Sequence, residues 1–141
     1  TMFQPKNKKK VKGIDNNTIE SCKKFGHYLA TTDPYDMGKK IKTKMTTSQL
    51  RKFFGEIKRI QVENSNNKNF NIIKKSIVLL KPKLAYAVGR SHDNKPNNKI
   101  TDFYNVISTA IDQVDNHEKF ENLVQIIEAI VAFHKEKEGG K

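Results

Sequence analysis

Apolar side chains recur at helical spacing along this chain, and no other feature of the sequence constrains its fold as strongly. The clearest stripe lies within residues 101–115 and keeps to one helical face: Phe103, Val106, Ile107, Ala110, Ile111 and Val114. A second stripe runs through residues 117–137, from Phe120 to His134. Because a helix returns to the same face about every 3.6 residues, both segments are predicted to be amphipathic helices.

Two further helices are predicted in the first half of the chain from start signals followed by apolar residues. The first is expected at residues 18–30, with Thr18 as its N-cap. The second lies within TTSQLRKFFGEIKRIQVE (46–63), where Thr47 or Ser48 is expected to cap the helix. Hydroxyl side chains are favoured at such positions because they accept a hydrogen bond from an otherwise unpaired backbone N–H.

Another helix is predicted from about Phe70, and its length depends on Pro82. Proline lacks a backbone N–H, so Pro82 either kinks this helix or opens a separate one. Gly89 is expected to end the segment, and Thr101 or Asp102 to cap the next helix. The fold class is therefore predicted to be all-α, a compact bundle of five helices, or six if Pro82 divides one.

The domain organisation follows from where the apolar periodicity is absent. Residues 1–13 hold a run of lysines with almost nothing to bury, and they are expected to form a disordered basic arm. Residues 14–138 are predicted to form a single helical domain. Within it, residues 31–46 form the longest irregular segment, which is expected to be mobile or ordered by a partner.

The charge is strongly positive and unevenly distributed. Residues 1–60 contain 15 Lys and Arg against 5 Asp and Glu, and residues 61–99 contain 8 against 2. Residues 100–141 reverse the balance, with 4 against 8. This asymmetry favours a polyanion-binding surface on one part of the molecule, although lysines that only solvate the surface would give the same count.

The residue types needed for catalysis or metal binding do not form a recognisable pattern. The four histidines are scattered, and the single cysteine, Cys22, excludes both an intrachain disulfide and a zinc cluster. His134 is interpreted as a satisfied, partly buried residue. No cofactor, metal or catalytic site is predicted. No membrane span or secretory signal is expected either, which favours a cytoplasmic protein.

The stretch KPKLAYAVGR (81–90) is unusual in combining small residues with spaced cations. If Pro82 opens a helix, Lys83, Ala87 and Arg90 share one face, with Tyr86 beside them. Such a face would let phosphates meet the cations and a base stack on the tyrosine. The alternative, in which Tyr86 packs in the core and the lysines cover the surface, stays open.

Three separated motifs resemble a known family: TTSQLRKFF (46–54), LKPKLAYAVGR (80–90) and FENLVQIIEAIVAFHK (120–135). Together they are similar to the small subunits of type III-A CRISPR effector complexes, the Csm complexes, over about residues 46–137. The resemblance implies a small, helical, non-catalytic subunit of an antiviral ribonucleoprotein. It also implies that several copies stack along the filament beside the backbone repeat subunit and the large polymerase-like subunit, facing guide RNA and its paired target.

The predicted RNA-binding residues fall into two groups. The first group contains two pairs of cations on the second helix, each pair seven residues apart and therefore on one side of the helix, and two cations of the segment that begins at Pro82. Its members are Arg51, Lys52, Lys58, Arg59, Lys83 and Arg90. The second group lies in the irregular segment: Lys39, Lys40, Lys42 and Lys44. The expected partner is single-stranded or guide-paired RNA, held by its backbone while base pairing reads the sequence.

Two alternatives from other functional classes are kept. A stand-alone helical nucleic-acid-binding protein would need a recognition helix that reads base edges, but the second helix lacks an Asn or Gln cluster beside its arginines. A pure scaffold subunit would use the same basic face to bind an acidic protein. An enzyme is not expected.

Overall fold

Six α-helices make up most of the computed structural model, which describes residues 14–34, 37, 41–66, 69–94 and 98–139 (without the side chains of 92–94). In chain order the helices are α1 (Asn16–Leu29), α2 (Thr47–Glu63), α3 (Phe70–Val78), α4 (Leu80–Asn94), α5 (Ile100–Asp112) and α6 (His117–Gly139). Among these described residues the β-structure amounts to one isolated bridge between Thr43 and Asn98. The all-α prediction is confirmed. The predicted arm, residues 1–13, lies outside the described residues.

The first two helices begin earlier than predicted because other side chains cap them. The carboxylate of Asp15 accepts the N–H of Thr18 at 2.8 Å, so Thr18 lies in the first turn of α1 and its prediction as the cap is wrong. The same hydrogen bond lowers the pKa of Asp15. Thr46 caps α2 in a reciprocal capping box with Gln49, so the predicted caps, Thr47 and Ser48, are wrong by one and two residues.

Pro82 belongs to a separate helix, which makes six helices in the described part of the chain. The break falls at Leu79, and Pro82 is the third residue of α4, where an N–H would have no acceptor within the helix. The prediction that Gly89 ends this segment is wrong, because α4 continues to Asn94. One glycine costs a helix only about 1 kcal/mol, which the buried packing of Leu80 and Leu84 outweighs.

The helix α5 begins at Ile100, before both predicted caps. The side-chain oxygen of Asn98 accepts the N–H of Ile100 at 2.7 Å, so Thr101 and Asp102 are not needed as caps and that prediction is wrong. One residue of the predicted apolar stripe of α5 is not buried. Val106 is 47% exposed, because the more central residues of the stripe already fill the interface.

The core is built around α6, which packs along α1 and also against α2. Close approach of α1 and α6 depends on Gly26, where a Cβ would lie 2.9 Å from the carbonyl oxygen of Ile130. On the other side of the bundle, the rings of Phe53 and Phe103 meet edge to face at 5.3 Å and join α2 to α5. All five helical faces predicted to be apolar therefore contribute buried residues.

Residues 41–46 are ordered by contacts within the chain, in contrast to the expectation for this segment. The N–H of Met45 donates to Leu29 O at 2.7 Å, and the buried ring of His134 hydrogen bonds to Met45 O at 2.7 Å. The expectation that His134 is a satisfied residue is thereby confirmed. Earlier in the same irregular segment, the carboxylate of Asp33 forms an ion pair at 2.8 Å with the ammonium of Lys99, a residue that is only 1% exposed.

Candidate nucleic-acid interface

The cations of α2 lie on the outer surface of that helix. Arg51, Lys52 and Arg59 are exposed, and Lys58 is half-buried. The apolar residues between them, such as Phe53, turn into the core. The seven-residue spacing read from the sequence thus leaves all four cationic groups on the solvent side of the helix.

The segment around α4 presents a mixed aromatic and cationic surface. Tyr86 is 69% exposed, which rules out the alternative in which it packs in the core. The guanidinium carbon of Arg90 lies 6.0 Å from the centroid of the Tyr86 ring, within the range of a cation–π contact. Leu84 is buried on the opposite side, whereas Ala87 is only partly covered.

A groove of about 710 Å³ runs between α2 and α4 and brings residues from the two motifs together. Three of the six first-group cations line it: Lys52, Lys83 and Arg90. Its apolar part includes Phe53, Leu80, Pro82, Leu84 and Ala87, with Tyr86 beside them. The other three first-group cations do not line this groove. We refer to the six first-group residues as the basic face: Arg51, Lys52, Lys58, Arg59, Lys83 and Arg90.

One carboxylate connects the two helices within the basic face. Glu56 accepts from the ammonium of Lys83 on α4 at 2.8 Å and from the guanidinium of Arg59 on α2 at 2.9 Å. The hydrogen bond from Arg59, followed by that from Lys83, lowers the pKa of Glu56. Arg59 also pairs with Glu63 at 3.0 Å. Two cations of the basic face are therefore already engaged with carboxylates at the surface.

The two described members of the second group, Lys42 and Lys44, do not line the groove. The ammonium of Lys42 binds the carboxylate of Asp102 at 3.0 Å, and that of Lys44 binds Glu138 at 3.1 Å. Asp102 also accepts the hydroxyl of Tyr28, whose pKa is raised by burial first and by this carboxylate second. Lys39 and Lys40 lie outside the described residues.

Sequence reasoning missed two polar residues of the groove. Gln49 is held by the capping box, and its amide nitrogen lies 3.4 Å from the hydroxyl of Ser91 on α4. Both residues line the groove. The position of Gln49 three residues after Thr46 was a usable signal, since it marks a capping box. Nothing in the sequence indicates that Ser91 lies opposite it.

The described part of the chain contains neither a candidate metal centre nor a candidate membrane span. No group of three or more His, Cys, Asp or Glu side chains is placed there to hold a metal ion. None of the described helices is both long and apolar enough to cross a bilayer. The buried thiol of Cys22, whose pKa is raised by its burial, lies against the carbonyl of Ile126.

Comparison with known proteins identifies the family. A family model described as Csm2 Type III-A matches residues 15–140, a range that contains all six described helices. Comparisons with curated proteins and with solved structures gave no match. The match extends the similarity beyond the three motifs into α1. The chain therefore belongs to the Csm2 Type III-A family, the small structural subunits of type III-A CRISPR effector complexes, and it assembles with the other Csm subunits.

Proposed function

We propose that this subunit holds guide RNA, and the target RNA paired with it, through contacts of the basic face with phosphates. The observation that carries the proposal is the convergence of Lys52, Lys83 and Arg90 on one groove between α2 and α4. Guanidinium and ammonium groups form strong charge-assisted hydrogen bonds with phosphate oxygens. Contacts of this kind position a nucleic acid without reading its sequence, which base pairing with the guide would do instead.

The ion pairs of Glu56 do not prevent such binding. They lie at the surface, where pairs of this kind contribute only about 0–1 kcal/mol because water screens them. A phosphate that approaches Lys83 or Arg59 therefore replaces a weak internal partner. The exchange leaves Glu56 as a like-charged neighbour of the RNA, which lowers the affinity below what the cations alone would provide.

The second group of cations supplies additional contacts in this proposal. Lys42 and Lys44 would exchange Asp102 and Glu138 for phosphates, and Lys39 and Lys40 belong to the same lysine-rich stretch. The basic arm over residues 1–13 would contribute in the same sequence-independent way. Residues 14–138 would act as one helical domain that carries these contacts.

We further propose that copies of the subunit stack along the effector filament and that the subunit itself catalyses no reaction. Large apolar side chains are exposed around α3: Val62, Ile72, Val78 and Leu79. Exposed apolar groups of this kind are typical of surfaces that meet other proteins. In this role the subunit acts in the cytoplasm in antiviral defence, beside the backbone repeat subunit and the large polymerase-like subunit, while RNA cutting belongs to other subunits.

The test is a double charge reversal, Arg51→Glu with Arg59→Glu, in the reconstituted effector complex. Target-RNA affinity is expected to fall at least tenfold, because two attractive contacts become repulsive. The matched control reverses two exposed lysines of α1, Lys23→Glu with Lys24→Glu, and should change affinity little. Unchanged target binding by an assembled complex carrying the first pair would refute the proposal.

The two alternatives make different predictions. A preference for one duplex DNA sequence would support a stand-alone DNA-binding protein, which membership of a family of complex subunits disfavours. Loss of a neighbouring subunit from the complex, with RNA affinity unchanged in the copies that still assemble, would support a pure scaffold.

A further inference from the structure

We infer that the groove between α2 and α4 receives the base of one unpaired RNA nucleotide, stacked on Tyr86. This inference rests on the proposed function, because it adds a base-binding site to a surface proposed to hold phosphates. It differs from that function in the part of the RNA that is recognised. Phosphate contacts treat paired and unpaired strands alike, whereas a base-binding groove selects an unpaired nucleotide.

The size and chemistry of the groove suit an aromatic ligand. Its volume, about 710 Å³, falls in the range of about 300–1,000 Å³ that is typical of small-ligand sites. The inner surface is apolar, formed by Phe53, Leu80, Leu84 and Ala87. Ala87 matters most, because its small side chain leaves room for a flat ring next to α4. A phosphate alone would gain nothing from this apolar surface.

Tyr86 provides the stacking surface. Its ring is 69% exposed, a large exposure for an aromatic side chain beside an apolar groove. Arg90 lies over the ring at 6.0 Å and restrains it on one side. Stacking of a base on an aromatic ring contributes about 1–3 kcal/mol and tolerates any base, because every base has a π-face.

Polar groups at the groove are placed to contact the rest of a nucleotide. Gln49 and Ser91 hydrogen bond to each other at 3.4 Å, which is long for such a bond. Both side chains would form shorter hydrogen bonds with the donors and acceptors on the edge of a base. Lys52, Lys83 and Arg90 line the groove, at positions where the flanking phosphates would meet them. One groove therefore offers a stacking ring, a hydrogen-bonding pair and cations.

The ligand must be an unpaired nucleotide for steric reasons. In a duplex both faces of a base are stacked and its pairing edge is occupied, so an intact duplex cannot place a base against Tyr86. The cations of the groove suit an acidic protein segment as well as RNA, so the exposed aromatic ring is what argues against such a segment as the occupant. A peptide inserting an aliphatic anchor would not need a bare tyrosine face, and it is kept as an outcome of the test.

The experiment compares two labelled RNAs of equal length by fluorescence anisotropy with the full chain at low salt. One carries all of its bases, and the other carries abasic ribose at its central positions. The base-bearing RNA is expected to bind roughly 5- to 150-fold more tightly, as follows from the stacking contribution. Tyr86→Ala should remove most of this ratio while the affinity for the abasic RNA stays unchanged, and Tyr86→Phe should keep it.

The control variant is Val106→Ala, which shortens an exposed apolar side chain of α5, 47% exposed and outside the groove. It should leave both affinities unchanged. Ala87→Leu, checked for a native circular dichroism spectrum, should fill the groove and act like Tyr86→Ala.

Each contrary outcome is distinct. Equal affinity for the two RNAs, with steep salt dependence, overturns base binding and leaves the phosphate contacts standing. Absence of binding to either RNA overturns both. If Tyr86→Ala instead releases a neighbouring subunit from the complex while both RNA affinities stay unchanged, the groove binds protein and the inference is wrong.

Discussion

Replacing Gly26 with alanine tests whether α1 and α6 pack as closely as the structure shows. In an isolated helix this change would stabilise by about 1 kcal/mol, because alanine is the better helix former. Here the new Cβ would lie 2.9 Å from both the carbonyl oxygen of Ile130 and the Cβ of Phe133, about half an ångström inside ordinary van der Waals contact. Neither atom can move away by a side-chain rotation, so the two helices must separate.

The expected change in the free energy of unfolding is the sum of two opposing contributions. Overpacking of a closely packed interface costs about 1–3 kcal/mol, and the contact with backbone atoms favours the upper part of that range. After the helix-propensity gain is subtracted, Gly26→Ala should destabilise the fold by about 1–2 kcal/mol. For a domain of this length the corresponding fall in Tm is about 2–8 °C.

The matched control is Gly55→Ala in the interior of α2, where the added Cβ would have no atom within 4 Å apart from its chain neighbours and the backbone of its own helix. This variant should gain up to about 1 kcal/mol from helix propensity alone, and Tm should rise by about 2–4 °C. Thermal unfolding followed by circular dichroism measures both variants. If Gly26→Ala stabilises the protein as much as Gly55→Ala does, α1 and α6 are not in the contact described and the reasoning fails.

Three further predictions follow from single polar contacts. His134→Leu leaves the carbonyl of Met45 buried without this hydrogen-bond partner, so urea unfolding should show that the free energy of unfolding falls by about 1–3 kcal/mol. His134→Gln keeps a donor, and an equal loss in that variant would contradict the prediction. The hydrogen bond from Lys99 lowers the pKa of Asp33, so its contribution is present above about pH 4 and is lost as pH falls through the folded-state value. The stability difference between wild type and Asp33→Asn should therefore shrink below about pH 4 in denaturant titrations, and a difference that grows there would contradict the assignment. Glu56→Gln removes the carboxylate that competes with phosphates, so anisotropy against salt should show several-fold tighter RNA binding with a steeper salt dependence. Unchanged affinity and salt dependence would mean that the basic face does not contact RNA.

The basic face shows how far sequence reasoning reached. The seven-residue spacing of Arg51 with Lys58, and the helical spacing of Lys83 with Arg90, depend only on helix geometry, so each helix could be assigned its exposed cations in advance. That Lys52, Lys83 and Arg90 line one groove depends on how α2 and α4 cross, which no local pattern encodes. Glu56 was visible as a nearby acid, but its bridge to Lys83 exists only because the two helices pack together.

The same division between what neighbouring residues determine and what helix packing determines holds for the rest of the described structure. The sequence by itself determined the helical class, the apolar faces and the family resemblance, because these depend on residues close together in the chain. It left open whether Pro82 kinks a helix or opens a new one. Tertiary structure alone decided the need for glycine at position 26, the burial of Lys99 and the groove beside Tyr86. Each of these depends on atoms that are distant in sequence and adjacent only after the helices have packed.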